Sequence, residues 1–347
     1  MKKSTPPTLS EVARKAGVGT TTVSRVINGG DRVSPKTLAQ VRRVIDELGY
    51  RPNQAARVLK GDRTKTIGIS IPSIADPFFS SCAEAAQAVA RANDSLLIVT
   101  TTQNDPHTEI ENLNVLISHR VDGLLIAPAN SQSQLLGDFI NRVSVPVVTI
   151  DRPVANTSVM SVVTDNFKGA RTATQHLIDH GYKRIACLTG ESTLFTIQER
   201  IRGYRAAVDA AGLMHTLNTS IKDYKSAEYA IESLLAGAEP ADALFTLKNS
   251  TTIFAFEALQ KLNVQMPKGV ALLGFDDFEL ASTVRPSISV VQQPVEEIGR
   301  VAAELLFEKF LGERATGLLA RFKRAQRVTL ETRLIPRASC GCVPTPM

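Results

Sequence analysis

Five stretches of the chain place chemically capable side chains directly after a short apolar run. "TIGISI" is followed by "PSIADPFF", with Asp76, Phe78 and Phe79; "VPVVTI" is followed by Asp151 and Arg152. "ACLTG" leads into "QERIRGY" with Arg200, "ALFTL" precedes Asn249 and "ALLGF" precedes Asp276. In open α/β sheets, ligands gather outside the carboxyl ends of the strands. Carboxylates, an amide and guanidiniums converging there would hydrogen-bond a polyhydroxylated small molecule. Arg152 and Arg200 together would also suit an acidic one, such as a sugar acid or phosphosugar, unless Arg152 pairs with Asp151 or Asp76. Each residue has a structural reading too. Asp76 before Pro77, and Asp165 before Asn166, have the form of helix N-caps, and Phe78 and Phe79 could simply pack.

The motifs of catalysis are missing. "GVGTTT" opens like a dinucleotide fingerprint but lacks the third glycine and a preceding strand, and no phosphate-binding loop, H-E-x-x-H or G-x-S-x-G occurs. Asp276 and Asp277 are adjacent, so in a turn they need not converge as an acid/base pair. No catalytic residue and no cofactor is assigned, and a binding protein is expected rather than an enzyme. Cys340 and Cys342 in the terminal "CGC" have no matching Cys/His partners in the sequence pattern, so no metal site is expected and the pair reads as part of a reduced, exposed tail.

The elements that must position these residues come in two kinds. From Thr66 onward, β-branched runs alternate with helical stretches, which calls for parallel sheets with right-handed crossovers. A second such series starts near "VVTDNF", so two α/β lobes are expected. Before Thr66 the pattern is helical and basic. Residues 1–65 hold 14 Lys/Arg against 5 Asp/Glu, whereas the whole 347-residue chain carries only +6. That asymmetry points to a nucleic-acid-binding end. Neither an apolar signal stretch nor a run of ~18 apolar residues is present, so no membrane role is expected and the cytoplasm is the default.

Within the basic segment, Thr8 and Glu11 have capping-box spacing, and Gly17 ends a first helix. "TTTVSRVI" resumes after a tight turn, with Val23, Val26 and Ile27 facing inward, which makes a helix-turn-helix. Ser34 and Pro35 open a third helix carrying Leu38, Val41, Ile45 and Leu48 on one face, and Gly49 closes it. Thr20, Thr21, Ser24 and Arg25 occupy the outward side of the second helix. They are short hydroxyls for phosphates and bases, with an arginine suited to bidentate pairing with guanine.

The combination "AGV", "TVSRV-N", "VS-KT" and "LGY-PN-AA-L" resembles the lactose/galactose repressor family of bacterial transcription regulators, and the resemblance extends through nearly the whole chain. It implies an N-terminal all-α helix-turn-helix headpiece (1–51), a hinge helix and linker (52–64), and an α/β two-lobed periplasmic-binding-protein-like core (65–337). The lobes would be joined by three crossings, the first comprising about 65–164 and 294–323 and the second about 165–293 and 324–337, with 338–347 a flexible tail. By position, Thr20, Thr21 and Arg25 match base-reading residues, and Ser24, Asn28 and Thr37 join the DNA-binding set. Asn53, Ala56 and Arg57 would lie at the minor groove, with Leu59 as an apolar wedge between central base pairs. Asp151 and Asp276 match positions that hydrogen-bond sugar hydroxyls, Arg200 the effector-binding arginine, and Asn249 the ligand asparagine. Two departures stand out: Gly19 replaces the usual Ser at the start of the recognition helix, and Ser250 replaces the usual Asp after Asn249. The implied function is sequence-specific repression of carbohydrate-utilisation genes, with operator affinity controlled by a sugar or sugar acid/phosphate between the lobes. The implied partners are a pseudo-palindromic operator and a second copy of the chain, since the tail has no apolar heptads for further assembly.

Overall fold

The computed structural model describes residues 7–27, 29, 32–51, 63–190, 192–311 and 326–342. The chain forms two compact units, Met1–Thr64 and Lys65–Met347. Asn28 and the expected hinge residues Asn53, Ala56, Arg57 and Leu59 lie outside the described residues.

In the first unit, α1 (Leu9–Lys15) starts at a capping box: Glu11 N donates to Thr8 Oγ1 at 3.3 Å and Thr8 N to Glu11 Oε2 at 2.7 Å. Gly17, at φ 64°, supplies the left-handed turn that leads to α2 (Thr20–Ile27). Ser34 caps α3 (Pro35–Leu48) through Thr37 N, and Gly49 ends it at φ 62°. The core is Val12, Ala13, Ala16, Val23, Val26, Val41 and Val44, so α3 meets the other helices mainly through valines, with Leu38, Ile45 and Leu48 at its margin.

The second unit contains two six-stranded sheets. The first has the order β11-β5-β4-β3-β1-β2, built from β1 (Thr66–Ile71), β2 (Leu96–Thr101), β3 (Leu124–Ile126), β4 (Val147–Ile150), β5 (Met160–Thr164) and β11 (Arg327–Leu330), all parallel. The second has the order β12-β10-β9-β8-β6-β7, from β6 (Ile185–Leu188), β7 (Thr216–Asn218), β8 (Ala243–Thr246), β9 (Ala271–Phe275), β10 (Ser289–Gln292) and β12 (Arg333–Ile335); here β12 runs antiparallel to β10.

Helices cover both faces of each sheet. On the first, α4 (Pro77–Ala92) and α11 (Val295–Leu311) bury one face, while α5 (Pro106–Ser118) and α6 (Gln134–Arg142) bury the other. On the second, α7 (Asn166–Asp179) and α8 (Phe195–Ala210) lie opposite α9 (Tyr224–Ala236) and α10 (Asn249–Lys261). Gly299 lets α11 touch α4: a Cβ there would stand 2.1 Å from Cys82 O. Among the described residues, no helix is long and apolar enough to cross a membrane.

Two sequence expectations need correction. The stretch 324–337 does not belong wholly to the second lobe. β11 pairs with β5 in the first sheet: after β10 the chain returns to the first lobe through α11, which packs on that sheet, and it goes back to the second sheet only between β11 and β12. Nor is the start of the tail free. Ala338–Cys340 form a 3₁₀ turn in which Ser339 Oγ donates to Leu272 O at 2.5 Å and accepts from Ser289 N at 2.8 Å, and Ser339 and Cys340 are fully buried.

Candidate ligand cleft and nucleic-acid interface

Both sheets place β1 and β6 between strands that follow them in opposite directions, so each lobe has a topological switch point at its strand carboxyl ends. The loops from these ends enclose a cleft of about 230 Å³ lined by Asp76, Phe78, Asn104, Asp151, Arg152, Arg200, Lys248, Asp276 and Gln293, among others. Asp151 and Asp276 occupy equivalent places after β4 and β9. Each has positive φ, 66° and 75°, a conformation Asp tolerates better than most residues, and each donates its N–H to the adjacent strand, at Val162 O and Val291 O.

Each cleft carboxylate meets a cation. Arg152 Nε donates to Asp151 Oδ2 at 2.8 Å, and its Nη1 donates to Asn104 Oδ1 and Pro128 O, both at 2.8 Å. Burial raises the Asp151 pKa, with Arg152 and then Arg200 opposing. Arg200 lies 3.7 Å over the Phe275 ring; its Nε donates to Asn166 Oδ1 at 2.7 Å, and its Nη1 to Leu247 O at 2.6 Å and Asp276 Oδ2 at 3.3 Å. Asp76 accepts from Phe78 N at 3.1 Å, acting as the N-cap of α4, and also faces Lys248 Nζ across the cleft at 3.7 Å. Three carboxylates and three cations therefore balance locally, and Arg152 takes the partner within the chain that its neighbour Asp151 offers.

The expected residues do not all face this cleft alike. Phe79 borders it but is buried in the first lobe's core, edge-on to Phe78 at 4.9 Å. Asn249 borders an adjoining cavity of about 370 Å³, and its Oδ1 accepts from Ser250 N at 2.7 Å. Asp165 does not cap α7 with its side chain. Its Oδ1 accepts from Thr332 N and Oγ1, both at 2.7 Å, which ties two of the lobe crossings together. Gln293, Asn166, Asn104 and Lys248 were missed by the sequence reading. Gln293 Nε2 donates to Asp276 Oδ1 at 2.5 Å while its Oε1 accepts from Thr164 Oγ1 at 2.6 Å. The strand-end rule, extended to "SVVQQP", would have found it.

In the headpiece, Thr20, Thr21 and Arg25 are exposed and Ser24 is half-buried, on the side of α2 opposite the buried Val23 and Val26. Thr37 is half-buried, with its Oγ1 2.8 Å from Ser34 Oγ. Lys15 and Arg43 are engaged by Glu47, whereas among the described residues Arg25 has no ion pair. Gly19 precedes α2 with room for a side chain, its nearest neighbour to a built Cβ being Thr21 Oγ1 at 3.6 Å.

Two family models divide the chain at the same place as the structure: "Bacterial regulatory proteins, lacI family" matches residues 8–53, and "Periplasmic binding proteins and sugar binding domain of LacI family" matches 64–336. The chain belongs to the LacI family. This regulator is 35% identical over 351 residues to the HTH-type transcriptional regulator CelR of Thermobifida fusca, covering 98% of this chain and 100% of the relative. It is 32% identical over 305 residues to the ribose operon repressor of Haemophilus influenzae, covering 87% and 91%. Its fold matches a lac repressor dimer bound to operator and an anti-inducer, with a TM-score of 0.84 over 97% of this chain and 99% of the other, at 22% identity. As a LacI-family regulator the chain combines a DNA-binding headpiece with a two-lobed effector-binding core.

Proposed function

We propose that this regulator represses carbohydrate-utilisation genes and that its effector is a neutral sugar bound between the lobes. The observation that carries the neutral reading is the pairing of Asp151 with Arg152, Asp276 with Arg200 and Asp76 with Lys248. A carboxylate or phosphate entering the cleft would face three anions already matched to its cations, whereas hydroxyls can join these pairs without upsetting the charge. Phe78 supplies an apolar wall for a sugar's C–H face, and the adjoining cavity leaves room for a second ring. The cleft binds without turnover in this reading, because its acidic groups are held in ion pairs rather than poised as an acid and a base. Binding of neutral mono- or disaccharides in calorimetry, with the sugar recovered unchanged, is the expected result. Binding confined to sugar acids or phosphosugars would overturn it.

The regulator acts in the cytoplasm as a homodimer on pseudo-palindromic DNA. Leu96, Ile98 and Val99 on the edge strand β2, together with Val115 on the neighbouring α5, are exposed apolar residues that a second copy would cover. Arg25 reads a base in each half-site. Arg25→Ala is expected to weaken binding to operator DNA by about 1–3 kcal/mol, with a much smaller loss on random DNA. Fluorescence anisotropy on both DNAs checks this, and equal losses would reduce Arg25 to a backbone contact.

A further inference from the structure

The most ordered chemistry outside the cleft lies where the C-terminal segment meets the end of α7. His176 and His180 are one helical turn apart and share a face, their rings 4.2 Å apart. Cys340 and Cys342 flank Gly341, whose φ of 92° turns the chain so that both sulfurs approach those rings. Cys340 Sγ is 3.3 Å from His176 Nε2 and 3.5 Å from Cys342 Sγ. Cys342 Sγ is in turn 3.6 Å from His176 Nε2 and 3.2 Å from His180 Nε2. The coordinating atoms of His176, His180 and Cys342 all lie within 4.8 Å of one another.

Four of the six ligand–ligand spacings match those of a tetrahedral site, while Cys340 falls outside the group whose atoms all lie within 4.8 Å of one another, so its sulfur closes toward His180 on binding. With Zn–S near 2.3 Å and Zn–N near 2.0–2.1 Å, the edges of a tetrahedral Cys₂His₂ site come to roughly 3.3–3.8 Å. The surroundings also orient the donors. His180 Nδ1 is 2.9 Å from His176 O, an acceptor, so Nδ1 carries the hydrogen and Nε2 presents its lone pair toward Cys342. Cys340 is fixed from beneath by the hydrogen bonds of Ser339, and Tyr182 Oη donates to Cys340 O at 3.3 Å. The sequence reading missed this set because the cysteines' partners sit some 160 residues away, on a helix.

We propose that His176, His180, Cys340 and Cys342 bind one zinc ion, which fastens the C-terminal segment to α7. Four protein ligands close the coordination sphere, as in structural rather than catalytic zinc sites. Two thiolates balance the charge of the divalent ion, and the protons that the thiols still carry leave to solvent on binding. His180 is exposed and Cys342 half-buried, so the ion enters and leaves from the surface. The opposite end of α7 begins at Asn166, which accepts from Arg200 in the cleft; the clip therefore anchors a helix that helps to frame the effector site.

The test uses the full chain, kept reduced, stripped with a chelator and titrated with Co²⁺ and then Zn²⁺. One Co²⁺ per chain is expected, with the intense visible bands of tetrahedral cobalt and thiolate-to-metal charge transfer, both abolished by Zn²⁺. His180→Ala and Cys342→Ser should lose these bands while keeping the far-ultraviolet circular dichroism of the parent, and Zn²⁺ should raise the melting temperature of the parent but of neither variant. An octahedral cobalt spectrum, no stoichiometric uptake, or equal uptake by the parent and both variants would overturn the assignment.

Discussion

Arg200→Ala is expected to leave operator binding in place while abolishing the response to whichever neutral sugar the calorimetry identifies. Arg200 joins three elements at the cleft: Asn166 at the start of α7, Leu247 O after β8 and Asp276 after β9. A ligand that draws on Asp276 or on the guanidinium thereby acts on all three elements of the second lobe, and by also touching Asp151 or Asp76 of the first it can favour one lobe arrangement. The alanine variant removes that junction and leaves three oxygens short of a donor. Breaking a buried ion pair costs about 3–5 kcal/mol. The loss should fall at the low end of that range, because Asp276 keeps its hydrogen bond from Gln293 and its side chain is 13% exposed. The headpiece has a core of its own, so DNA contacts should survive a weakened second unit. Arg200→Lys guards against a folding artefact: it restores the charge without the planar fork and should recover only a weak response. Anisotropy on operator DNA with and without the sugar reads both variants. A full response in Arg200→Ala would remove Arg200 from the effector site.

Glu109→Gln should stabilise the protein increasingly as pH rises from 5 to 8. Glu109 on α5 is fully buried; Oε1 accepts from Ala129 N at 2.8 Å, and Oε2 has no partner among the described residues. Burial raises its pKa from 4.5 to about 7, against the opposing effects of Ala129 N and Arg152. Between those values the folded chain holds a proton that the unfolded chain has released. Stability therefore falls as pH rises through this window and levels off above it. Glutamine keeps an oxygen for Ala129 N and carries no charge to desolvate, so it lacks this slope. One pKa unit corresponds to ~1.4 kcal/mol, which limits the gain at pH 8 to roughly 3 kcal/mol, with near equality at pH 5. Urea unfolding at the two pH values measures the difference, and a pH-independent difference would show that Glu109 does not titrate in this range. The effect reaches the cleft through one peptide: Ala129 N is held by Glu109, and the preceding Pro128 O accepts from Arg152.

The sequence by itself determined whatever depends on neighbours three or four residues apart, or on strand ends. Thr8 with Glu11, Ser34 with Pro35, and Asp76 with Pro77 specify helix starts through local hydrogen bonds, and the structure retains all three. Asp151 and Asp276 stand out because they follow buried strands in parallel sheets, where ligands collect. The motifs of the first 60 residues likewise mark the headpiece without reference to the rest of the chain. Tertiary structure alone decided which charges meet. Lys248 pairs with Asp76 only because the two lobes bring their strand ends together, Arg200 reaches Asp276 only because α8 packs beside β9 within the second lobe, and these pairings turn a basic-looking site into a balanced one. Asp165 has the local form of a cap yet is captured by Thr332, a residue 167 positions away that the β11-to-β12 crossing delivers. β11 joins the first sheet because α11, packed on that sheet, delivers it beside β5, a pairing that no local pattern in 324–337 encodes. The histidines of α7 and the terminal cysteines also meet only through the fold. Hydrogen-bond caps and strand periodicity act over a few residues of chain, whereas ion pairs, sheet membership and ligand clusters depend on which distant segments the packing of apolar faces forces together.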